Sequence, residues 1–96
     1  MTKHEALKQR IIEMARYRGF EHIYHTWNSM HSPSGFPDLL LLKAERLIVV
    51  ELKIRPDNIK PEQYEWLIAF RGITDFVFVC DDSDEDWAEI MAVLKE

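Results

Sequence analysis

The sequence predicts one α/β domain in which a central mixed β-sheet is flanked by helices, with the elements in the order α-β-β-β-α-β-α. Helical and strand-like hydrophobic periods alternate along the chain, which indicates this class. Its 96 residues, of which 47% are hydrophobic, suffice for one core but leave nothing over for a second. We therefore treat residues 1–96 as a single domain.

The first helix is predicted over residues 3–18. Thr2 and Glu5 form a possible capping box at its start, and Gly19 offers a stop at its end. Its apolar positions recur at helical spacing: Leu7, Ile11, Met14 and Ala15. Residues 20–27 follow, and their aromatic and β-branched side chains predict the first strand.

Two further strands are predicted over residues 38–42 and 47–54, joined by a tight turn into a central hairpin. Residues 28–37 before them contain two prolines and a glycine and form a loop that is long for a small domain. Loops of this length are often functional.

The second helix is predicted over residues 61–71, with Pro61 in its first turn and Gly72 after its end. Residues 76–80 are apolar on both faces, which predicts a strand inside the sheet. A last helix follows, with acidic residues in its first turn, where the helix dipole favours them. The candidates for its N-cap are Asp81, Asp82 and Ser83.

Charge is unevenly distributed along the chain. The net charge of −5 argues at first against a nucleic-acid partner, because such domains are usually basic. Residues 81–96 carry a net charge of −6, so residues 1–80 carry +1. Since DNA would repel the acidic C-terminal helix, we expect that helix on the far side of the molecule.

Cys80 is the single cysteine, which excludes an internal disulfide framework and an all-cysteine metal site and indicates a reducing compartment. No apolar run approaches the roughly 18 residues of a membrane span, and the first residues lack the hydrophobic stretch of a signal peptide. We therefore expect a soluble, cytoplasmic protein that is not secreted.

Three charged residues of the predicted hairpin are expected to converge. Side chains alternate along a strand, so Glu51 and Lys53 project from one face about 7 Å apart. Asp38 heads the neighbouring strand after the bend at residues 35–37. Hard cations such as Mg²⁺ prefer oxygen ligands, so Asp38, Glu51 and the backbone carbonyl of Leu52 form a plausible partial ligand set.

An isolated Glu-x-Lys pair is more often an exposed ion pair on a strand, and an Asp after proline often caps a turn. Here Glu51 follows Asp38 by thirteen positions, each lies in a predicted strand of one hairpin, and a helix precedes and follows that hairpin. This combination favours a phosphodiester-hydrolysing site, where a divalent cation neutralises phosphate charge and stabilises the leaving oxygen.

The sequence around these residues resembles the VRR-NUC domain (virus-type replication-repair nuclease) of the PD-(D/E)XK nuclease superfamily, especially its short stand-alone form. The similarity covers nearly the whole chain and rests on three segments: Ser34–Leu41, Val50–Lys53 and Pro61–Leu67. It implies a restriction-endonuclease-like α-β-β-β-α-β core, here followed by an extra C-terminal helix.

The resemblance implies an endodeoxyribonuclease that depends on Mg²⁺ or Mn²⁺. Asp38 and Glu51 match its metal ligands, and Lys53 matches its catalytic lysine. Gln63 matches a helix glutamine beside the active site. Glu5 lies where related nucleases place an additional metal-side carboxylate, although its capping-box role explains it equally well.

Basic residues near the site are candidates for DNA binding. Arg55 and Lys60 follow the catalytic strand directly, and basic groups there can contact phosphates. His31, in the loop before Asp38, is a further candidate. A histidine metal site is not favoured, because His22 and His25 fall on opposite faces of the predicted strand.

The resemblance also implies the substrate, because short stand-alone members look like Holliday-junction resolvases acting in DNA repair, recombination or replication. A domain of this size has too little surface to grip branched DNA alone, whereas a twofold homodimer presents two sites. Two alternatives stay open. One is a non-catalytic DNA-binding or assembly module on a nuclease fold, and the other is a nuclease of RNA or single strands.

Overall fold

The computed structural model describes residues 1–26 and 32–96, and its elements follow the predicted order. The elements are α1 (Lys3–Tyr17), β1 (His22–His25), β2 (Leu39–Lys43), β3 (Arg46–Leu52), α2 (Pro61–Arg71), β4 (Val77–Cys80) and α3 (Asp84–Lys95). β1 is shorter than predicted, and Trp27, the predicted end of that strand, lies outside the described residues. Among the described residues, no helix combines the length and apolar character needed to cross a membrane.

Local side-chain chemistry sets the helix ends. The Thr2 hydroxyl accepts a hydrogen bond of 3.1 Å from the backbone N–H of Glu5, so Thr2 caps α1. Ser83, one of the three candidates, caps α3 by accepting from the N–H of Asp86 at 3.2 Å. Gly19 follows α1 with a φ of +92°, a conformation that costs glycine little.

The sheet has the strand order β1-β2-β3-β4 and is mixed. β1, β2 and β3 pair antiparallel, whereas β3 and β4 pair parallel. Residues of α1 and α3 cover one face of the sheet, and α2 covers the other. Burial of apolar side chains in these two layers is the main stabilising contribution to such a fold.

The prediction that residues 76–80 form a strand inside the sheet is wrong, because β4 lies at the edge of the sheet. Its apolar character on both faces has another cause. Cys80 packs into the core beneath α1 and α3, whereas Val77 packs against the α2 side. Helices on both faces therefore explain the pattern, which carries no information about lateral position, and Val79 is left 43% exposed.

Gly35 brings the loop before β2 into close contact with the start of α2. It has a φ of +82°, and a Cβ built there would lie 2.5 Å from the backbone carbon of Glu62. The indole N–H of Trp66 also donates to the carbonyl oxygen of Ser34 at 3.2 Å. Phe36 packs edge-on against Trp66 at a centroid distance of 5.0 Å. Together these contacts with α2 fix the path of the chain that leads to Asp38.

We expect Gly35→Ala to destabilise the fold by more than the roughly 1–2 kcal/mol of left-handed backbone strain, because the new Cβ also clashes with backbone atoms of α2. The matched control is Gly72→Ala, where φ is −72° and the nearest atom to a new Cβ is at 3.3 Å. Thermal unfolding of both variants checks this. Equal melting temperatures for the two variants would contradict the role of Gly35.

Candidate active site

An open cavity of about 620 Å³ lies where several elements meet. The start of α1, the loop before β2, the end of β3 and the first turn of α2 all contribute to its wall. Six of the residues singled out in the sequence line it: Asp38, Glu51, Leu52, Lys53, Lys60 and Gln63. The structure thus brings together the three segments on which the resemblance rests.

Hydrogen bonds to its backbone and side chain position Asp38 at the head of β2. Its backbone carbonyl accepts from the N–H of Thr26 at 2.9 Å, and its Oδ2 accepts from the N–H of Leu52 at 2.8 Å. The Thr26 hydroxyl donates to the carbonyl of Pro37 at 2.8 Å. Leu39 pairs with Val50 in the β2–β3 register, so Asp38 reaches the position beside Glu51.

Glu51 is the buried charged residue among those that the structure describes, with 2% of its surface exposed. Its Oε2 has no hydrogen-bond partner within the described residues. Burial, the hydrogen bond to Asp38 and the charge of Asp38 together raise the pKa of Glu51 to about 9, although Lys53 acts in the opposite direction. Without a cation, this raised pKa favours the neutral acid form of Glu51 at neutral pH.

This donor set fits a hydrated divalent cation. Glu51 Oε2, which has no partner among the residues described, and the neighbouring carboxylate of Asp38 supply the oxygen ligands that Mg²⁺ and Mn²⁺ prefer. Residues 1–26 and 32–96 contain no ready-made group of three His, Cys, Asp or Glu side chains for a metal. A closed all-protein cage is thus not what these residues offer, whereas an ion that keeps several waters needs only one or two carboxylates.

Lys53 and Gln63 face the same cavity from different elements. The N–H of Lys53 continues the parallel ladder by donating to the carbonyl of Cys80 at 2.9 Å, which fixes the direction of its side chain. The Oε1 of Gln63 accepts from the N–H of Lys60 at 2.9 Å. Gln63 therefore closes the first turn of α2 with its oxygen, and its NH₂ group keeps its donors for other partners.

Arg55 and Lys60 differ in their surroundings. Lys60 lines the cavity, whereas Arg55 lies outside it and pairs with Asp81 at 3.0 Å. Hydrogen bonds from Ser83 hold the pKa of Asp81 well below its usual range. The acidic helix α3 packs with α1 on the sheet face opposite α2. The acidic segment just before α3 nevertheless contacts a predicted DNA-binding residue, because Asp81 pairs with Arg55.

His4 was not among the site residues predicted from the sequence, whereas its neighbour Glu5 was. Glu5 is exposed and does not line the cavity, whereas His4 lines it with Nε2 at 3.4 Å from Asp38 Oδ1. The signal was present, because His4 lies three positions before Leu7 and seven before Ile11 and therefore shares their sheet-facing side. His31, the histidine that was predicted near the site, lies outside the described residues.

Two further carboxylates also line the cavity and were not predicted, namely Asp57 and Glu62.

Cys80 is buried in the core, as expected of a small hydrophobe. Burial raises the pKa of the Cys80 thiol to about 12, and nearby carboxylates such as Asp86 make smaller contributions. Cys80 therefore stays a neutral thiol and contributes no nucleophile.

Comparisons with known proteins identify the family of the chain. The sequence profile of the VRR-NUC domain matches residues 2–84 of the chain. A solved structure described as a VRR_NUC domain protein superimposes with a TM-score of 0.72 at 14% identity, covering 98% of this chain and 88% of that one, which shows a shared fold. No curated protein matches the chain. On the extent of the profile match, the chain belongs to the VRR-NUC family of nuclease-fold domains.

Proposed function

We propose that this protein is a Mg²⁺- or Mn²⁺-dependent endonuclease that hydrolyses phosphodiester bonds in branched DNA. The observation that carries the proposal is Glu51, a buried carboxylate beside Asp38 at the wall of an open cavity, whose Oε2 has no hydrogen-bond partner in the described part of the chain. Burying such a group is costly for stability unless a proton or a cation compensates it. A site of this kind is therefore better explained by function than by folding.

Asp38, Glu51 and the backbone carbonyl of Leu52 would hold the cation, which supplies charge neutralisation and water activation for hydrolysis when it is bound. Lys53 brings an ammonium group to the same cavity, where it can stabilise the negative charge that develops on the phosphate. The NH₂ group of Gln63 is a donor for a phosphate oxygen or a water molecule.

The positive side chains and the start of α2 would position the phosphate backbone. Lys60 lines the cavity, and the N-terminus of α2 faces it, which favours an anion. Arg55 would contact a phosphate next to the site after leaving Asp81. These contacts orient the nucleic acid without reading its sequence.

An apolar surface at the sheet edge supports a homodimer. Tyr64 and Ile68 of α2 are 59% and 54% exposed, and Val79 on the neighbouring edge strand is 43% exposed. They line a groove of about 330 Å³ between α2 and β4. Edge strands of this character tend to associate, and a twofold dimer would present two cavities to a branched substrate.

The experiment is a cleavage assay on four-way junction, fork, flap, duplex and single-stranded substrates, in DNA and RNA, with Mg²⁺, Mn²⁺ or a chelator. We expect metal-dependent cleavage of branched DNA, and light scattering should show twice the 11.4 kDa mass of the chain. Binding without cleavage would support the non-catalytic module instead. Cleavage confined to RNA or single strands would overturn the branched-DNA substrate, and a purely monomeric species would overturn the dimer.

A further inference from the structure

His4 presents a ring nitrogen to the proposed metal site. It lies in the first turn of α1, its side chain is 38% exposed, and its Nε2 is 3.4 Å from Asp38 Oδ1. The core positions Leu7 and Ile11 anchor the same face of the helix against the sheet. The fold therefore holds His4 at the cavity wall and does not merely leave it there as a surface residue.

Helix stability does not explain a histidine at this position. The N-terminal turn of a helix favours negative side chains, and a protonated imidazole would oppose the helix dipole. A neutral imidazole avoids that cost and keeps one nitrogen lone pair available for a ligand. The position of His4 is thus better suited to donating a lone pair than to capping the helix.

The distances suit two neighbouring ligands of one ion. Asp38 uses Oδ2 to accept the hydrogen bond from Leu52, which leaves Oδ1 toward His4. Adjacent donors of a six-coordinate ion with bonds of about 2.1 Å lie about 3 Å apart, close to the observed 3.4 Å between Nε2 and Oδ1. Binding of one ion by both atoms would require only a small side-chain adjustment.

We propose that His4 Nε2 donates to the same divalent cation as Asp38 Oδ1 and biases the site toward Mn²⁺ over Mg²⁺. The inference rests on the proposed metal-dependent function and adds the identity of the ion. Imidazole nitrogen favours first-row transition ions over Mg²⁺, which prefers oxygen ligands throughout. Residues 1–26 and 32–96 hold no preformed group of three such side chains, so His4, Asp38 and Glu51 would have to move together on binding, and water molecules would complete the coordination.

The direct test is pulsed electron paramagnetic resonance of Mn²⁺ bound to the full chain, which detects a coordinated ¹⁴N nucleus. We expect the nitrogen modulation in the wild type, its loss in His4→Gln and its retention in His22→Gln. His22 is a matched control because it is an exposed histidine that does not line the cavity. Bound Mn²⁺ with the same nitrogen signal in wild type and His4→Gln would overturn the inference, as would a wild type that binds no Mn²⁺.

Calorimetric affinities give a second readout that does not depend on cleavage. The ratio of Mn²⁺ to Mg²⁺ affinity should fall about tenfold in His4→Gln, and His4→Glu should show the lower ratio of an all-oxygen site while retaining binding of both ions. Circular dichroism spectra should show that the variants are folded. An unchanged ratio in a cleaving enzyme would refute the inference and leave the proposed function standing. A nitrogen-ligated Mn²⁺ in a protein that cleaves no substrate would refute the proposed function alone.

Discussion

Asp38→Asn and Lys53→Ala are each expected to lower the rate of DNA cleavage by at least about a thousandfold, whereas DNA binding should stay within a few fold. A thousandfold loss corresponds to about 4 kcal/mol of transition-state stabilisation, which is within the range of a cation site and its charged partner. Asparagine keeps an oxygen that can accept from the N–H of Leu52, so the local backbone should hold.

Single-turnover cleavage and fluorescence anisotropy binding measure the two effects separately. Glu65→Gln is the control, because Glu65 is an exposed carboxylate of α2 that does not line the cavity, and its rate should match the wild type. Cleavage by either Asp38→Asn or Lys53→Ala at a near wild-type rate would show that the chemistry occurs elsewhere.

Glu51→Gln is expected to raise the melting temperature in the presence of chelator. The burial of Glu51 and the neighbouring charge of Asp38 raise its pKa from 4.5 to about 9, so the folded protein retains a proton that the unfolded chain releases. The stability from this group is fully present below pH 4.5 and is lost as the pH rises toward 9. Glutamine is neutral throughout and removes this pH dependence.

A gain of only about 1 kcal/mol shifts the melting temperature of a domain of this size by roughly 4–8 °C, so a melting series across this pH window resolves the effect. The wild type should become less stable relative to Glu51→Gln as the pH increases. Parallel curves for the two proteins would contradict the buried, proton-retaining state of Glu51.

Added metal should reverse the order of these two proteins. Binding to the folded state alone stabilises by RT ln(1 + [L]/Kd), about 2.7 kcal/mol at one hundred times Kd. The wild type should therefore gain stability with Mn²⁺ or Mg²⁺, and more so at higher pH because the ion displaces the proton of Glu51. Glu51→Gln should respond little, and an equal response would show that Glu51 does not hold the ion.

Local sequence patterns predicted much of the secondary structure of this protein. Thr2 and Ser83 cap helices through contacts within three residues, and the pattern from Pro61 to Gly72 predicted the bounds of α2 correctly. Side-chain alternation placed Glu51 and Lys53 together, and both line the cavity. Their chemical roles stay predictions that the cleavage assays test.

Tertiary structure decided the rest, because it depends on contacts between residues far apart in the chain. The periodicity of β4 reports covered faces, and only the strand pairing shows that β4 is an edge. The packing of α1 on the sheet turns His4 toward Asp38 and leaves Glu5 exposed. Arg55 likewise pairs with Asp81, which lies 26 positions later in the chain. Glu51 likewise becomes a buried carboxylate with a raised pKa only when helices and strands enclose it, since burial and its effect on a pKa are properties of the packed molecule.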